Sequence, residues 1–325
     1  MSNELVELQE SKELRNETTH HLNSWVNNPY IKAATSDNSR IAYQSDIRHF
    51  EAWGGKLPAT PEIVVNYLQN FATKLNPRTL GRRLIAIKHW HTYQGFPNPT
   101  IHPAVQKTLV GITRIHGKPK EKARPLTLED LLTIIQFLEA ENSFAAFRDN
   151  ALLQLGYFGA FRRSELVALQ FEHLEWKKEG IDILIPQSKT DQENKGQYCG
   201  IPFGKKPLCP VIALKSWIDI SNIKQGPIFR EIKKGEQLKE KFLSPLSVNL
   251  ILKKRAKECN LSYADQFSGH SLRRGLATSA SMAGANLAAI MRQGRWKQVN
   301  TIMEYVDATN RFSDNAVISI LNKMR

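Results

Sequence analysis

Arg162 stands between two apolar stretches, Leu152, Leu153, Leu155 and Phe158 before it and Leu166 and Leu169 after it. That placement predicts a helix junction, where a guanidinium can present its fork to a phosphate. Glu165 follows three residues later on the same helical face, able to orient or charge-balance its neighbours, although alone the two also read as a surface ion pair. Lys189, in Ser188-Lys189-Thr190, falls in a polar turn after a strand; alone, such a Lys is solvated. His270 and Arg273 lie three apart in Gly269-His270-Ser271-Leu272-Arg273-Arg274-Gly275 and share a side if a helix starts near Ser271. A His beside two Arg is costly unless an anion joins them, a conflict typical of functional sites. Trp296 offers one N–H donor, and Tyr305 follows nine residues later on a short predicted helix; singly, each reads as a core aromatic. Collectively they form a set for phosphoryl transfer that asks for no metal. The Arg side chains would neutralise the non-bridging oxygens as charge builds. The Tyr hydroxyl is a weak nucleophile that needs such a field or a base, and Lys can protonate a leaving 5′-oxygen. Cys199, Cys209 and Cys259 are widely spaced, form no CxxC pair, and read as reduced structural thiols, so no metal site is expected.

The elements that must carry these groups are predominantly helical. Residues 1–36 read as a polar tail, with Leu5, Val6 and Leu8 a weak apolar face. From 37 to 115 the pattern is helical: Ile41, Ile47, Phe50 and Trp53 on one segment, stopped by Gly54-Gly55. Thr60-Pro61 then serves as N-cap and first turn of a helix with Ile63, Val64, Tyr67, Leu68 and Phe71 inward. Asn76-Pro77-Arg78-Thr79 opens another, with Leu80, Leu84, Ile87 and Trp90 inward. Residues 116–125 lack an apolar period and read as a basic linker. A second domain spans 126–325, opening with Thr127-Leu128-Glu129-Asp130 as a cap. Its strand signal is Ile181–Ile185, with Gln197–Pro202 as the returning strand. The fold class expected is mainly α with a small antiparallel β-sheet, in two domains.

Charge narrows the partners. Lys and Arg number 45 against 31 Asp and Glu, a net of +14. The first 17 residues carry five Glu against Lys12 and Arg15, so the remaining chain is about +17. A basic body with a basic linker suits a polyanion, nucleic acid first, because each cation that meets a phosphate releases a condensed counterion. Met1–Glu10 is acidic, without a basic-then-apolar leader pattern, and the apolar stretches are too short to span a bilayer. A cytoplasmic protein is expected, nucleoid-associated if bacterial, with no membrane partner.

In chain order, Arg162-x-x-Glu165, Lys189, His270-x-x-Arg273, Trp296 and Tyr305 resemble the tyrosine recombinase (phage integrase) family, and within it the Cre-like branch. Trp296, where most of the family carries His, matches that branch. Arg274 is an additional cation whose simplest reading is a DNA-backbone contact. The resemblance implies a two-domain clamp around double-stranded DNA, a helical core-binding domain and a catalytic domain. It implies Tyr305 as nucleophile forming a 3′-phosphotyrosine, Arg162 and Arg273 on the non-bridging oxygens, His270 and Trp296 donating, Lys189 as acid and Glu165 as orienter, without cofactor. It also implies strand exchange through a Holliday junction by a homotetramer on two sites of inverted-repeat type, with a terminal helix (Ala316, Val317, Ile318, Ile320, Leu321) docking on a neighbour. By the same resemblance, Arg78, Thr79, Arg82 and Arg83 begin a DNA-facing helix, and Gln44, Ser45 and Arg48 lie on another. A type IB-like topoisomerase or telomere resolvase would share the chemistry and differ in product. A DNA-binding protein without activity would have no use for the complete set.

Overall fold

Polar caps decide where the first helices begin. Ser36 accepts a hydrogen bond from the Ser39 amide and starts α2 (Asp37–Ala52), after a short α1 (Pro29–Ala33). Thr60 accepts from the Ile63 amide and, with Pro61 in the first turn, starts α3 (Pro61–Phe71). Asn76 and Pro77 do the same for α4 (Pro77–Tyr93), and α5 (Pro103–His116) follows. Each such cap satisfies an amide that would otherwise lack a partner. The computed structural model describes residues 28–119, 123–186, 196–310 and 317, in two compact units, Met1–Lys120 and Glu121–Arg325. In the first, α2 packs on α4 and α3 on α5 around Phe50, Val64, Tyr67, Leu68, Leu80 and Leu84.

The second unit is built around a helix apolar on every side. α6 (Leu128–Glu141) opens it, with a capping box between Thr127 and Asp130. α7 (Phe144–Phe158) buries an unbroken run from Ala151 to Tyr157, so it must be enclosed. It is enclosed by α6, by α9 (Pro210–Ser221) and by α11 (Gly269–Met282). Between α7 and α9 come the short α8 (Arg163–Val167) and a three-stranded antiparallel sheet: β1 (Leu174–Trp176), β2 (Gly180–Ile185) and β3 (Gln197–Pro202). Its inward residues pair across strands, Ile181 with Ile201 and Ile183 with Cys199. A two-stranded ribbon, β4 (Arg230–Ile232) and β5 (Leu238–Phe242), precedes α10 (Pro245–Glu258). α12 (Leu287–Gly294) and α13 (Val299–Asn310) then pack on α11.

The fold is thus mainly helical with a small antiparallel sheet. Chain entry into the second unit is tight. The Leu126 amide donates to the Ser271 carbonyl at 3.0 Å, and a Cβ on Gly275 would stand 2.1 Å from the Leu126 oxygen. Glycine at 275 is what lets the backbones of this segment and α11 approach. Among the described residues no helix is long and apolar enough to cross a membrane. The 1–27 part of the expected tail, Lys189, and the terminal patch except Val317, which is half exposed, lie outside the described residues.

Candidate active site

α7 cannot continue past Gly159, and the turn that follows is unusual. Ala160 takes a positive φ of 45°, and Phe161 folds into the core. The turn delivers Arg162 as N-cap residue of α8. Glu165, at the third helical position, reaches back to accept from the Arg162 amide at 2.9 Å and from its Nη1 at 2.5 Å. The carboxylate is buried and its partner half-buried, so the pair is more than a solvated surface contact. Burial pushes the Glu165 carboxyl up; the Arg162 amide and guanidinium, and then Arg295, outweigh it and hold the group below its ordinary value.

Ser268 caps α11, which therefore starts at Gly269, two residues ahead of the expected point. His270 sits exposed in its first turn, its amide donating to Ser268 Oγ at 3.2 Å, while Arg273 is 2% exposed. Arg273 Nη1 donates to the Ala160 carbonyl and its Cζ lies 4.1 Å from the Trp296 ring centre. Its Nη2 is buried with no hydrogen-bond partner among the described residues. Burial first, then the like charges of Arg162 and Arg295, pull the Arg273 guanidinium down to about 9, against the opposing pull of Glu165 and Tyr305. An arginine so placed is poised for an anion.

Trp296 and Tyr305 close the cluster, their rings 6.3 Å apart and tilted by 61°, with Ile302 and Ala160 packed among them. Tyr305 is 7% exposed, on α13 of the chain that also supplies the arginines. The reading of Arg274 as a DNA-backbone contact gives way. Arg274 is 6% exposed, Nη1 donates to the Ala123 carbonyl, and Cζ lies 4.9 Å from the Tyr305 ring centre. Its neighbours in sequence gave no hint, because its partners lie about 150 residues upstream and 30 downstream.

Arg295 is a functional candidate that sequence reasoning missed. It ends α12 in the left-handed conformation, φ 55° and ψ 42°, which costs a non-glycine residue about 1–2 kcal/mol. Its Nη2 donates to the carbonyls of Gly159 at 3.0 Å and Ala160 at 3.3 Å, and to Glu165 Oε2 at 3.4 Å. The only sequence signal was its place beside Trp296, in a Gly-Arg-Trp triplet.

Of the expected DNA-facing residues in the first unit, Gln44, Ser45, Arg48, Arg78 and Arg82 are exposed and Thr79 is half-buried. Arg82 also donates to the buried Asp46 at 2.8 Å. Arg83 is a correction: it points inward, donating to Tyr67 Oη at 2.9 Å and to His49 Nδ1 at 2.7 Å. Asp46, 3.5 Å from its Nε, draws it in. Burial and the Arg83 charge hold the His49 imidazole below its ordinary value, in keeping with its acceptor role.

A model of the phage integrase family matches residues 124–311. An integrase/recombinase xerD homolog from Selenomonas ruminantium is 37% identical over 304 residues, covering 90% of this chain and 88% of its own. Recombinase cre of Escherichia phage P1 is 24% identical over 266 residues, covering 77% and 76%. Among solved structures, the Tn1549 transposon integrase in complex with transposon right-end DNA superposes with a TM-score of 0.62 at 14% identity, covering 93% of this chain and 98% of that one.

Proposed function

The chain belongs to the phage integrase family of tyrosine recombinases, whose members cleave and rejoin DNA; on that premise we propose that Tyr305 attacks a scissile phosphate held by Arg162 and Arg273. The supporting observation is the convergence around the Ala160 turn: Arg273 on its carbonyl, Arg162 two residues on, and Trp296 and Tyr305 packed against it. In this reading the Tyr305 oxygen forms a bond to phosphorus as the bond to the 5′-oxygen breaks. The phenolic proton passes to His270, and Lys189 supplies a proton to the departing 5′-hydroxyl. The two guanidinium groups and the Trp296 N–H stabilise charge on the non-bridging oxygens, while Glu165 orients. The 3′-phosphotyrosine conserves the bond energy, so attack by another strand's 5′-hydroxyl reverses the step without ATP.

Two rounds of exchange through a Holliday junction, by four protomers on two inverted-repeat sites, complete the proposed reaction, with the terminal helix around Val317 docking between protomers. Exposed Arg78, Arg48 and Gln44, with Thr79 and Arg82, are proposed to meet the duplex; Arg side chains there serve phosphate positioning or guanine readout. The soluble, DNA-acting role suits a cytoplasmic setting. Fragments pulled down from genomic DNA with the protein supply the site. A two-site recombination assay on it, run beside supercoil relaxation, tests the reading: recombinant product supports it, and relaxation alone replaces it with a topoisomerase.

The buried Arg273 sets a pH limit. Burial and the charges of Arg162 and Arg295 pull its guanidinium down to about 9, so kcat/KM for cleavage should fall on the alkaline side. A rate that stays level to pH 10 shows instead that Arg273 stays charged throughout that range. Arg274 supplies a second expectation. Since it faces Ala123 and the Tyr305 ring, Arg274→Gln should slow covalent attachment while leaving the salt dependence of DNA binding unchanged. A slope smaller by about 0.9 in log K against log [salt] would instead mark a lost phosphate contact.

A further inference from the structure

Besides Arg274, the active-site cluster holds a further cation that the proposed reaction does not use. Arg295 is 9% exposed; its Nη2 is shared by the Gly159 and Ala160 carbonyls at the end of α7 and Glu165 on α8, while its Nη1 donates to the Gln293 carbonyl at 2.9 Å. A cation at a helix C-terminus is favoured by the helix dipole, so an end-capping role accounts for Gly159. It does not account for the rest. The Ala160 carbonyl is the same atom to which Arg273 donates, and Glu165 is the same carboxylate that holds Arg162. The placement is also unfavourable in three ways. The backbone of Arg295 is left-handed, its Nε is buried with no hydrogen-bond partner among the described residues, and it adds a like charge beside Arg162 and Arg273. A residue that only closed a helix end would need none of these.

We propose that Arg295 is a positioning residue for the phosphate clamp, gripping at once the Ala160 carbonyl that seats Arg273 and the Glu165 carboxylate that seats Arg162. Through these two acceptors it sets the spacing of the two guanidinium groups before DNA arrives. The adjacent Trp296 ring lies against Arg273, so the short Arg295-Trp296 segment touches the clamp from two directions. The neighbouring Gln293 extends the same brace to β3, its Nε2 donating to the Phe158 carbonyl at 2.8 Å and to the Gly200 carbonyl at 3.2 Å. The proposal rests on the recombinase reading of Arg162, Arg273 and Tyr305, and it assigns Arg295 no contact with the phosphate.

Two variants separate positioning from folding. Arg295→Lys keeps the charge but loses the planar guanidinium whose Nη2 meets the Ala160 carbonyl and Glu165 while Nη1 holds the Gln293 carbonyl. Arg295→Gly removes the side chain at a backbone conformation glycine adopts without strain, so the loss of contacts is partly offset. Each is assayed with the wild type for melting, DNA affinity, and the rate of covalent attachment to a nicked suicide duplex at saturating protein. The expectation is melting above the assay temperature, affinity within about twofold, and attachment slower by about 10²-fold, the scale on which misplacement of a distant support acts. The alkaline limb of kcat/KM, taken with protein limiting so that the free enzyme is read, is the second readout. Arg273 is faced by Arg162, Arg295, Glu165 and Tyr305; with Arg295→Gly one like charge is gone, so the limb should move to higher pH. Attachment at the wild-type rate by either folded variant overturns the proposal, as does a slowed Arg295→Gly with the limb unmoved. Melting of both variants below the assay temperature also overturns it, since the role is then structural. Failure of the wild type itself to attach is a different result and removes the recombinase reading.

Discussion

Tyr305→Phe should bind its DNA site with wild-type affinity and form no covalent adduct with it. The substitution deletes one oxygen from a ring that is already packed against Trp296, Ile302 and Ala160, so the ring keeps its packing and the fold loses about 1 kcal/mol, the worth of a hydrogen bond. The chemistry is another matter. Among the described residues the cluster holds no second hydroxyl in that place, and on the proposed reading the arginines then have no nucleophile to assist. The assay is a suicide duplex nicked near the cleavage point, which traps the wild type as a protein–DNA band resistant to denaturant. A persisting band with the Phe variant would move the nucleophile to another residue. An absent band with both proteins, on DNA that each of them binds, would leave a DNA-binding protein without cleavage activity.

Glu165→Gln should strongly destabilise the second unit. The carboxylate is almost fully buried and contacts both Arg162 and Arg295. Neutralising it removes the buried carboxylate that Arg162 and Arg295 share beside Arg273, and breaking such a pair costs about 3–5 kcal/mol. For a unit of this size the melting temperature should fall by about 6–20 °C, at about 2–4 °C per kcal/mol. The pH dependence has a definite sign. The folded-state value of Glu165 lies below its ordinary 4.5, so its contribution is fully present above about that pH and is lost as pH falls through the folded value. The difference in melting between wild type and variant should therefore be wide at neutral pH and narrow in acid. An equal difference at pH 7 and pH 3 would show that packing, not charge, is what Glu165 supplies.

What could be read from the sequence was what depends on near neighbours. Thr60, Asn76 and Thr127 announce their helices because a cap and the amide it satisfies are two or three residues apart. Arg162 and Glu165 were legible as a pair for the same reason, and β2 and β3 because alternation and a turn are local. Arg83 was misread outward because three arginines in a short stretch look alike until Asp46 and Tyr67, on two other helices, select the one that turns in. Arg295 escaped notice because its partners at 159, 160 and 165 are about 130 residues away. Arg274 was visible but misdirected: its carbonyl partner at 123 has no side-chain signature at all. Side chains that bond to backbone across the fold leave no pattern for spacing to reveal.

The close approach at Gly275 has a practical consequence for mutagenesis. Even a methyl group there has no room beside the Leu126 oxygen, so the first stretch of the second unit would be prised from the helix that carries His270 and Arg273. A saturation screen scored by recombinant colonies would register position 275 as intolerant as the nucleophile itself. Its dead variants, unlike Tyr305→Phe, should lose DNA occupancy and protease resistance together, marking a seam of the architecture where a naive map would draw chemistry.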